Sequence, residues 1–260
     1  MAFSILVCIK SVPDMSSSCA VTADGRWIDA ADLPRCMNPY DVYALEAALT
    51  IKDTHGQVTV DALSAGPEHV RPAIRRAMAM GADAGIHLAM ATTGHPAAQT
   101  VARAIAHFAR EKEYDLILTG AVSEDLMQGL TGPMLAAALG RPCATAAVEI
   151  IPDMDGRLLE VACELEGGMT ERVRLALPAL VTVQTGHRRP RYPSLSNTLR
   201  SRRQAIVPVI SRAEASGSAG CRQTGLAAPQ PLSTCEVIMG TPAEKADRLL
   251  EIFSNKGLLR

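Results

Sequence analysis

Four short segments of the chain combine small and polar residues in a way that suits a bound nucleotide. They are the residues around Cys8, residues 38–41, residues 64–67 and the loop 120–131. Glycine and alanine there let the backbone approach a ligand closely. Free N–H groups at the start of a helix expected over residues 132–139 would suit a phosphate. The same glycines also occur in ordinary turns between strands and helices, so that interpretation stays open beside nucleotide binding.

The sequence lacks the common signatures of catalysis. No G-x-G-x-x-G follows the first expected strand, and there is no G-x-x-x-x-G-K-[ST], H-E-x-x-H or G-x-S-x-G. The histidines are scattered, and the seven cysteines form no C-x-x-C pair, which is typical of reduced thiols and not of a zinc site. We therefore predict no catalytic and no metal-binding residue. The alternative to a protein that only binds its nucleotide is an α/β protein that hydrolyses or senses a nucleotide.

A basic segment over residues 187–203 has three interpretations. It could be a solvated loop, a nucleic-acid contact, or a docking loop in which Leu195 is an apolar anchor inside a charged rim. Tyr192 is its only aromatic residue and the formal net charge of the chain is -1, so the nucleic-acid interpretation is weak and we predict no nucleic-acid partner. The arginines of the segment are Arg188, Arg189, Arg191, Arg200, Arg202 and Arg203.

The elements that would position these residues alternate between strands and helices. Apolar runs predict strands at residues 3–9, 58–63, 85–88 and 115–119, with helices after each of them. Alternation of this kind predicts a doubly wound, mostly parallel sheet in an α/β fold, in which ligands bind beyond the carboxyl ends of the strands. Further strands are expected over residues 145–184, and residues 11–32 are expected to be a long loop with at most a short hairpin.

The chain is predicted to divide near residue 187. Residues 1–186 would form a nucleotide-binding α/β domain, and residues 187–260 a recognition loop followed by an extended arm. The arm is rich in Ser, Gly, Ala and Pro over 211–231 and ends in a helix that begins at Thr241-Pro242. No apolar run is long enough to cross a membrane and no signal peptide is expected, so we predict a soluble, cytoplasmic protein.

Several motifs together resemble a known family. In order along the chain they are CIKSVPD, MNPYDVYALEAAL, SAGP, RRAMAMGAD, DLILTG and PRYPSLSNTLRSRR. Over about residues 3–210 their order and spacing resemble electron-transfer flavoprotein beta subunits, including the FixA type. The resemblance implies an adenine nucleotide alpha hydrolase-like fold and an electron carrier that has no catalytic turnover of its own.

The resemblance also implies cofactors and partners. An alpha subunit would form a heterodimer with this chain and hold most of a redox FAD. This chain would bind AMP or a second FAD, and its C-terminal arm would pack on the alpha subunit. Electrons would pass from a flavin-dependent dehydrogenase to a downstream acceptor, and membrane contact would occur only through an acceptor oxidoreductase.

The residues of the family's two sites map onto this sequence. The implied partner-binding residues are Leu195 with Tyr192, Arg191, Arg200 and Arg203, and Glu164 toward the alpha subunit. Many members have Lys or Arg, then Gln, after the glycine at 120 and a Gln at 130, so the identity of the nucleotide stays open. The implied nucleotide contacts are Cys8, Asn38, Pro39, Tyr40, Asp41, Ala65, Gly66, Gly120, Ala121, Val122, Ser123, Asp125, Gln128, Gly129, Leu130 and Thr131.

Overall fold

A mostly parallel β-sheet lies at the centre of the chain. The computed structural model describes residues 3–14, 16, 20–29, 33–90, 96–186, 188–211, 224–227 and 237–259. In chain order the strands are β1 Phe3–Cys8, β2 Ser11–Pro13, β3 Arg35–Met37, β4 Val58–Gly66, β5 Ala84–Ala89, β6 Leu116–Gly120, β7 Cys143–Asp153, β8 Leu158–Glu164, β9 Thr170–Ala176, β10 Ala179–Val183 and β11 Val207–Ile210.

Six α-helices accompany these strands within the described residues. They are α1 Pro39–His55, α2 Arg71–Met80, α3 Ala98–Arg110, α4 Thr131–Leu139, α5 Leu195–Arg203 and α6 Pro242–Asn255. None of these helices is both long and apolar enough to cross a bilayer.

The strand order shows that the sheet is doubly wound, as predicted. Among the described residues it is β11-β5-β4-β1-β6-β10-β7-β8-β9, and the pairs from β11 to β7 are parallel. The chain runs outward from β1 to β4 and β5, and then returns to β6 on the other side of β1. The connections therefore diverge beyond the carboxyl ends of β1 and β6, which is where ligands bind in such sheets.

Two apolar layers cover the two faces of the sheet. Ile5 and Val7 of β1 pack in the layer that contains residues of α1 and α2. Leu6 and Cys8 point to the opposite face, which contains residues of α3 and α4. The alternation follows from the period of two in a strand, and burial on both faces explains why the strand is an apolar run.

Helix α1 begins where the sequence predicts it, but for a different local reason. Pro39 occupies the first helical position after Asn38, while the Asn38 side chain makes no capping hydrogen bond. Asparagine followed by proline in the sequence predicts a capped helix start, and the predicted cap is wrong. The Asn38 amide bonds to a distant loop instead, so a tertiary contact replaces the local one. The helix ends at His55, and Gly56 follows at a φ of 71°, as expected for a helix terminator.

Two segments that looked irregular in the sequence contain strands. The segment expected to be a loop begins with β2, which pairs in antiparallel register with β3 just beyond that segment. In the segment beyond residue 187, β11 joins the edge of the sheet parallel to β5. Much of the predicted arm over 211–231 lies outside the described residues, and the division into two domains stays a prediction. The final helix α6 begins after Thr241, as the sequence predicts, and the structure adds a capping box between Thr241 and Glu244.

The segment before α5 is held to the domain by one arginine. The backbone N–H of Arg191 donates to Glu46 at 2.9 Å, and its Nε and Nη2 donate to the same carboxylate at 2.9 Å. Nη2 also donates to Asp53 at 2.8 Å. The Glu46 side chain is only 10% exposed. The positive charge of Arg191 is therefore paired with carboxylates of the same chain, although the resemblance implied that Arg191 contacts a partner.

Replacing this arginine should destabilise the fold. Arg191→Met leaves the carboxylate of Glu46 buried without its charge partner, and we expect a loss of about 2–3 kcal/mol in the free energy of unfolding. Arg189→Met is the matched control, because Arg189 is exposed, and it should change stability by less than about 0.5 kcal/mol. Urea unfolding of the two variants measures both values. Equal stabilities would show that the Arg191 contact contributes nothing.

Candidate functional site

A cleft of about 220 Å³ opens beyond the carboxyl ends of β1, β4 and β6. It lies at the divergence of the connections, and all four segments singled out in the sequence reach it. Of the predicted nucleotide contacts, those that line the cleft are Cys8, Asn38, Asp41, Ala65, Gly66, Gly120, Ala121, Val122, Ser123, Asp125, Gln128, Gly129, Leu130 and Thr131.

Two of the predicted contacts do not line the cleft. Pro39 and Tyr40 lie in the first turn of α1, between Asn38 and Asp41 in the chain. Tyr40 still shapes the site, because a Cβ added at Gly120 would lie 2.7 Å from the Tyr40 Cβ. The structure therefore brings together most of the predicted set and gives these two residues a supporting position.

The buried carboxylate of Asp41 joins three elements at the floor of the cleft. One oxygen accepts the backbone N–H of Lys10 just beyond β1 at 2.7 Å. The other accepts the backbone N–H of Gly120 at the end of β6 at 2.9 Å. Asp41 itself belongs to the first turn of α1. The side chain thus fixes the separation of the two strand ends between which the chain reverses its direction across the sheet.

Burial also changes the acid–base properties of this floor. Desolvation raises the pKa of Asp41 from 3.8 to about 7, although the N–H donors of Lys10 and Gly120 act in the opposite direction. Burial likewise raises the pKa of the Cys8 thiol well above its usual value, and the nearby Asp41 adds to this. Cys8 is therefore a small apolar wall residue and not a thiolate nucleophile.

The loop over residues 120–131 is held by the side chain of Asn38. Its Nδ2 donates to the Val122 carbonyl at 2.9 Å, and its Oδ1 accepts the N–H of Glu124 at 3.1 Å. Asn38 is buried, so both of its polar ends are satisfied as burial requires. The contact explains why an asparagine at the helix start does not cap the helix.

Lys10 holds the same loop from the end of β1. Its Nζ lies 2.6 Å from Asp125 Oδ1 and 3.2 Å from Ser123 Oγ. The Asp125 side chain is only 3% exposed, so the ion pair compensates a buried carboxylate. The sequence interpretation missed Lys10, although it stands inside the CIKSVPD motif that contributed to the family resemblance.

Two glycines are required by close packing around the cleft. A Cβ at Gly120 would overlap Asp41 Oδ1. A Cβ at Gly132 would lie 2.5 Å from Thr182 Cγ2 and 2.8 Å from Thr119 Oγ1. These positions admit no side chain unless the neighbouring residues shift, so both glycines are needed for the packing of the chain itself.

The start of α4 offers hydrogen-bond donors to the cleft. The N–H groups of Thr131 and Gly132 lie in the first turn of the helix, and neither has a protein acceptor within the described part of the chain. Both residues line the cleft. Free amides and the positive end of the helix dipole together favour an anion.

An arginine and a histidine that were not predicted from the sequence also lie at the cleft. Arg35 of β3 lines it and donates through Nη2 to the Ser11 carbonyl at 3.0 Å. His69 also lines it, and its pKa is lowered by burial and then by the positive charge of Arg35. Neither residue belongs to a recognisable motif, because their proximity depends on how β3 and the turn after β4 fold together.

The predicted partner-binding residues form no part of the cleft. Leu195 is 78% exposed and Tyr192 is 91% exposed, so neither side chain packs inward to close the loop. Arg203 is exposed at the end of α5, and Glu164 is exposed at the end of β8. Arg200 is exposed as well, and its Nη2 donates to the carbonyls of Met78 and Ala82 at 3.1 Å.

Comparison with known proteins identifies relatives over most of the chain. Residues 26–215 match the family model described as the electron transfer flavoprotein domain. The electron transfer flavoprotein subunit beta of Bradyrhizobium diazoefficiens is 35% identical over 203 residues, which are 78% of this chain and 80% of that relative. The human subunit beta is 34% identical over 206 residues, covering 78% and 79%. The Bacillus subtilis subunit beta is 29% identical over 225 residues, covering 85% and 86%.

The buried carboxyl group makes stability depend on pH. Because the pKa of Asp41 is raised from 3.8 to about 7, the folded state binds this proton more tightly than the unfolded state does. The contribution of Asp41 to the free energy of unfolding should therefore fall as pH rises from about 4 to about 7. Unfolding of the wild type and of Asp41→Asn across this range measures the effect. We expect the wild type to lose free energy of unfolding relative to Asp41→Asn as pH rises. A constant difference in the free energy of unfolding would contradict a raised pKa for Asp41.

Proposed function

Since this chain belongs to the beta-subunit family of electron transfer flavoproteins, we propose that it carries electrons only as one half of a heterodimer with an alpha subunit. The alpha subunit would hold most of the contacts to a redox FAD. The flavin supplies the redox chemistry when bound, and this chain contributes position and electrostatics. Together the two subunits would pass electrons from a flavin-dependent dehydrogenase to a downstream acceptor.

We propose that the cleft beyond β1 and β6 binds an adenine nucleotide. The observation that supports this most directly is the set of unpartnered N–H groups of Thr131 and Gly132 in a cleft built largely from backbone and small side chains. These groups would hold the phosphate, and main-chain N–H and C=O groups would recognise the base. The nucleotide would be AMP, or the AMP part of a second FAD.

The cleft favours binding over turnover. Cys8 has a raised pKa, and the carboxylates of Asp41 and Asp125 are engaged by N–H groups or by Lys10. A nucleotide-hydrolysing or nucleotide-sensing protein of similar architecture is the rival proposal. Steady release of product from ATP by the isolated chain would favour hydrolysis.

The C-terminal helix supports the proposed pairing. In α6 the apolar residues Leu249, Leu250 and Phe253 are 42%, 53% and 40% exposed. A row of large apolar side chains at helical spacing normally packs against another surface, and the alpha subunit would supply it. We propose the same role for the arm that precedes α6, and we propose that Glu164 contacts the alpha subunit.

We propose that Leu195 and Tyr192 contact the donor dehydrogenase. Both project into solvent, while the segment that carries them is fixed to the domain at either end through Arg191 and Arg200. Arg203 and Arg202 are exposed on the same helix and would supply positive charge at the rim. A small anchor with charged surroundings suits a short-lived electron-transfer complex.

Filling the cleft floor should abolish nucleotide binding. Gly120→Val puts a branched side chain where even a Cβ would overlap Asp41 Oδ1, so the loop and the carboxylate must separate. We expect the nucleotide content of the purified variant to fall below a tenth of the wild-type value. Gly186→Ala is the control, since its Cβ would have its nearest neighbour at 3.5 Å. Full nucleotide content in folded Gly120→Val would argue against this site.

Shortening the exposed leucine should slow electron delivery. Leu195→Ala is expected to weaken docking of the donor dehydrogenase by about 1–3 kcal/mol, as removal of an interface anchor does. Flavin content and thermal stability should stay at their wild-type values, because the side chain is 78% exposed. Ile151→Ala, at an exposed residue of β7, serves as the control. The rate of flavin reduction by the donor is measured, and an unchanged rate in Leu195→Ala would end the docking proposal.

A further inference from the structure

A buried histidine lies directly behind the wall of the cleft that β4 contributes. His87 of β5 is 2% exposed, and the strands pair so that His87 lies opposite Ser64 and Ala89 lies opposite Gly66. The Nε2 atom of His87 lies 2.8 Å from the carbonyl oxygen of Gly66. A carbonyl oxygen can only accept, so the ring proton of this bond is on Nε2.

The carbonyl of Gly66 depends on this ring because the strand ladder is weak there. The ladder bond to the same oxygen, from the N–H of Met90, is 3.4 Å long. Gly66 itself has a φ of 150°, and a Cβ at this position would lie 3.0 Å from Val70 Cγ1. The end of β4 is therefore bent into a conformation that favours glycine, and the imidazole supplies its short hydrogen bond.

The bent end of β4 is also the wall of the proposed nucleotide site. Ala65, Gly66 and Pro67 all line the cleft, and the turn continues through His69 and Val70, which line it as well. Movement of the Gly66 peptide would therefore move a wall made of backbone. A site that recognises its ligand through main-chain groups is sensitive to such a shift.

The other ring nitrogen of His87 does not fix the turn in the same way. Nδ1 lies 3.6 Å from Glu68 Oε1, and the Glu68 side chain is 77% exposed. At this distance the contact is not a hydrogen bond. The Nε2–H bond to Gly66 is thus the contact through which His87 acts on the cleft.

We infer that His87 is a positioning residue for the nucleotide site, which holds the Gly66 carbonyl and so sets the β4 wall of the cleft without touching the ligand. This inference rests on the proposed function, since it requires that the cleft binds a nucleotide. It assigns a role in binding to a buried polar side chain that does not itself line the cleft.

Two amide variants of His87 separate the contribution of the Nε2–H bond to nucleotide affinity from that of the volume of the ring. The side-chain nitrogen of glutamine reaches about as far as Nε2, and that of asparagine only about as far as Nδ1. We expect His87→Gln to keep the AMP dissociation constant of the wild type. Loss of one such bond is worth roughly three- to tenfold in affinity, so His87→Asn should raise the dissociation constant by roughly that factor. His107→Asn, at an exposed histidine of α3, should have no effect.

The experiment is a calorimetric titration of each full-length variant with AMP after removal of copurified nucleotide, with the melting temperature recorded in parallel. Equal affinity in His87→Gln and His87→Asn would overturn the inference. If both affinities were unchanged, His87 would have no role in binding; if both were equally reduced, the volume of the ring and not its Nε2–H bond would explain the loss. A wild-type chain that binds neither AMP nor FAD would instead overturn the proposed function, and this inference with it.

Discussion

One buried carboxylate, that of Asp41, links the parts of the molecule on which the cleft depends. It accepts the N–H of Lys10 at the end of β1 and the N–H of Gly120 at the end of β6, and it does so from the first turn of α1. These two strand ends are where the connections diverge, so the carboxylate spans the point where a doubly wound sheet binds ligands. Gly120 has to be glycine because the carboxylate occupies the space of its Cβ.

Arginine contacts likewise fix the segment around α5 to the rest of the domain. Arg191 forms an ion pair with Glu46, and Arg200 donates to the carbonyls at the end of α2. Arg75 donates to the carbonyls of Ser201 and Gln204 from the α2 side. The segment between these contacts exposes Tyr192 and Leu195 on a fixed frame. A frame that is ordered before binding loses less conformational entropy on docking than a mobile loop does.

The sequence predicts the parts of this structure that follow from local patterns. The strands β1, β4, β5 and β6 are largely apolar because both faces of the sheet are covered. Gly56 and Gly81 follow directly after α1 and α2, where glycine is a common helix terminator. The cleft segments could be predicted because topology alone collects the carboxyl ends of parallel strands. Contacts between residues that are distant in the sequence could not be predicted in this way. Arg191 meets Glu46 across 145 positions, Asn38 meets Val122 across 84, and β11 is a short, exposed strand with a proline and no alternating pattern.

The central claim is that this chain binds a nucleotide and carries electrons only within a heterodimer. Affinity purification of the full chain from its own cells under mild conditions tests it most directly. The account predicts a yellow complex with one second polypeptide of the same family, FAD that a reductant bleaches, and an adenine nucleotide released on denaturation. A colourless monomer without nucleotide, or a monomer whose own flavin is reduced, would contradict the account.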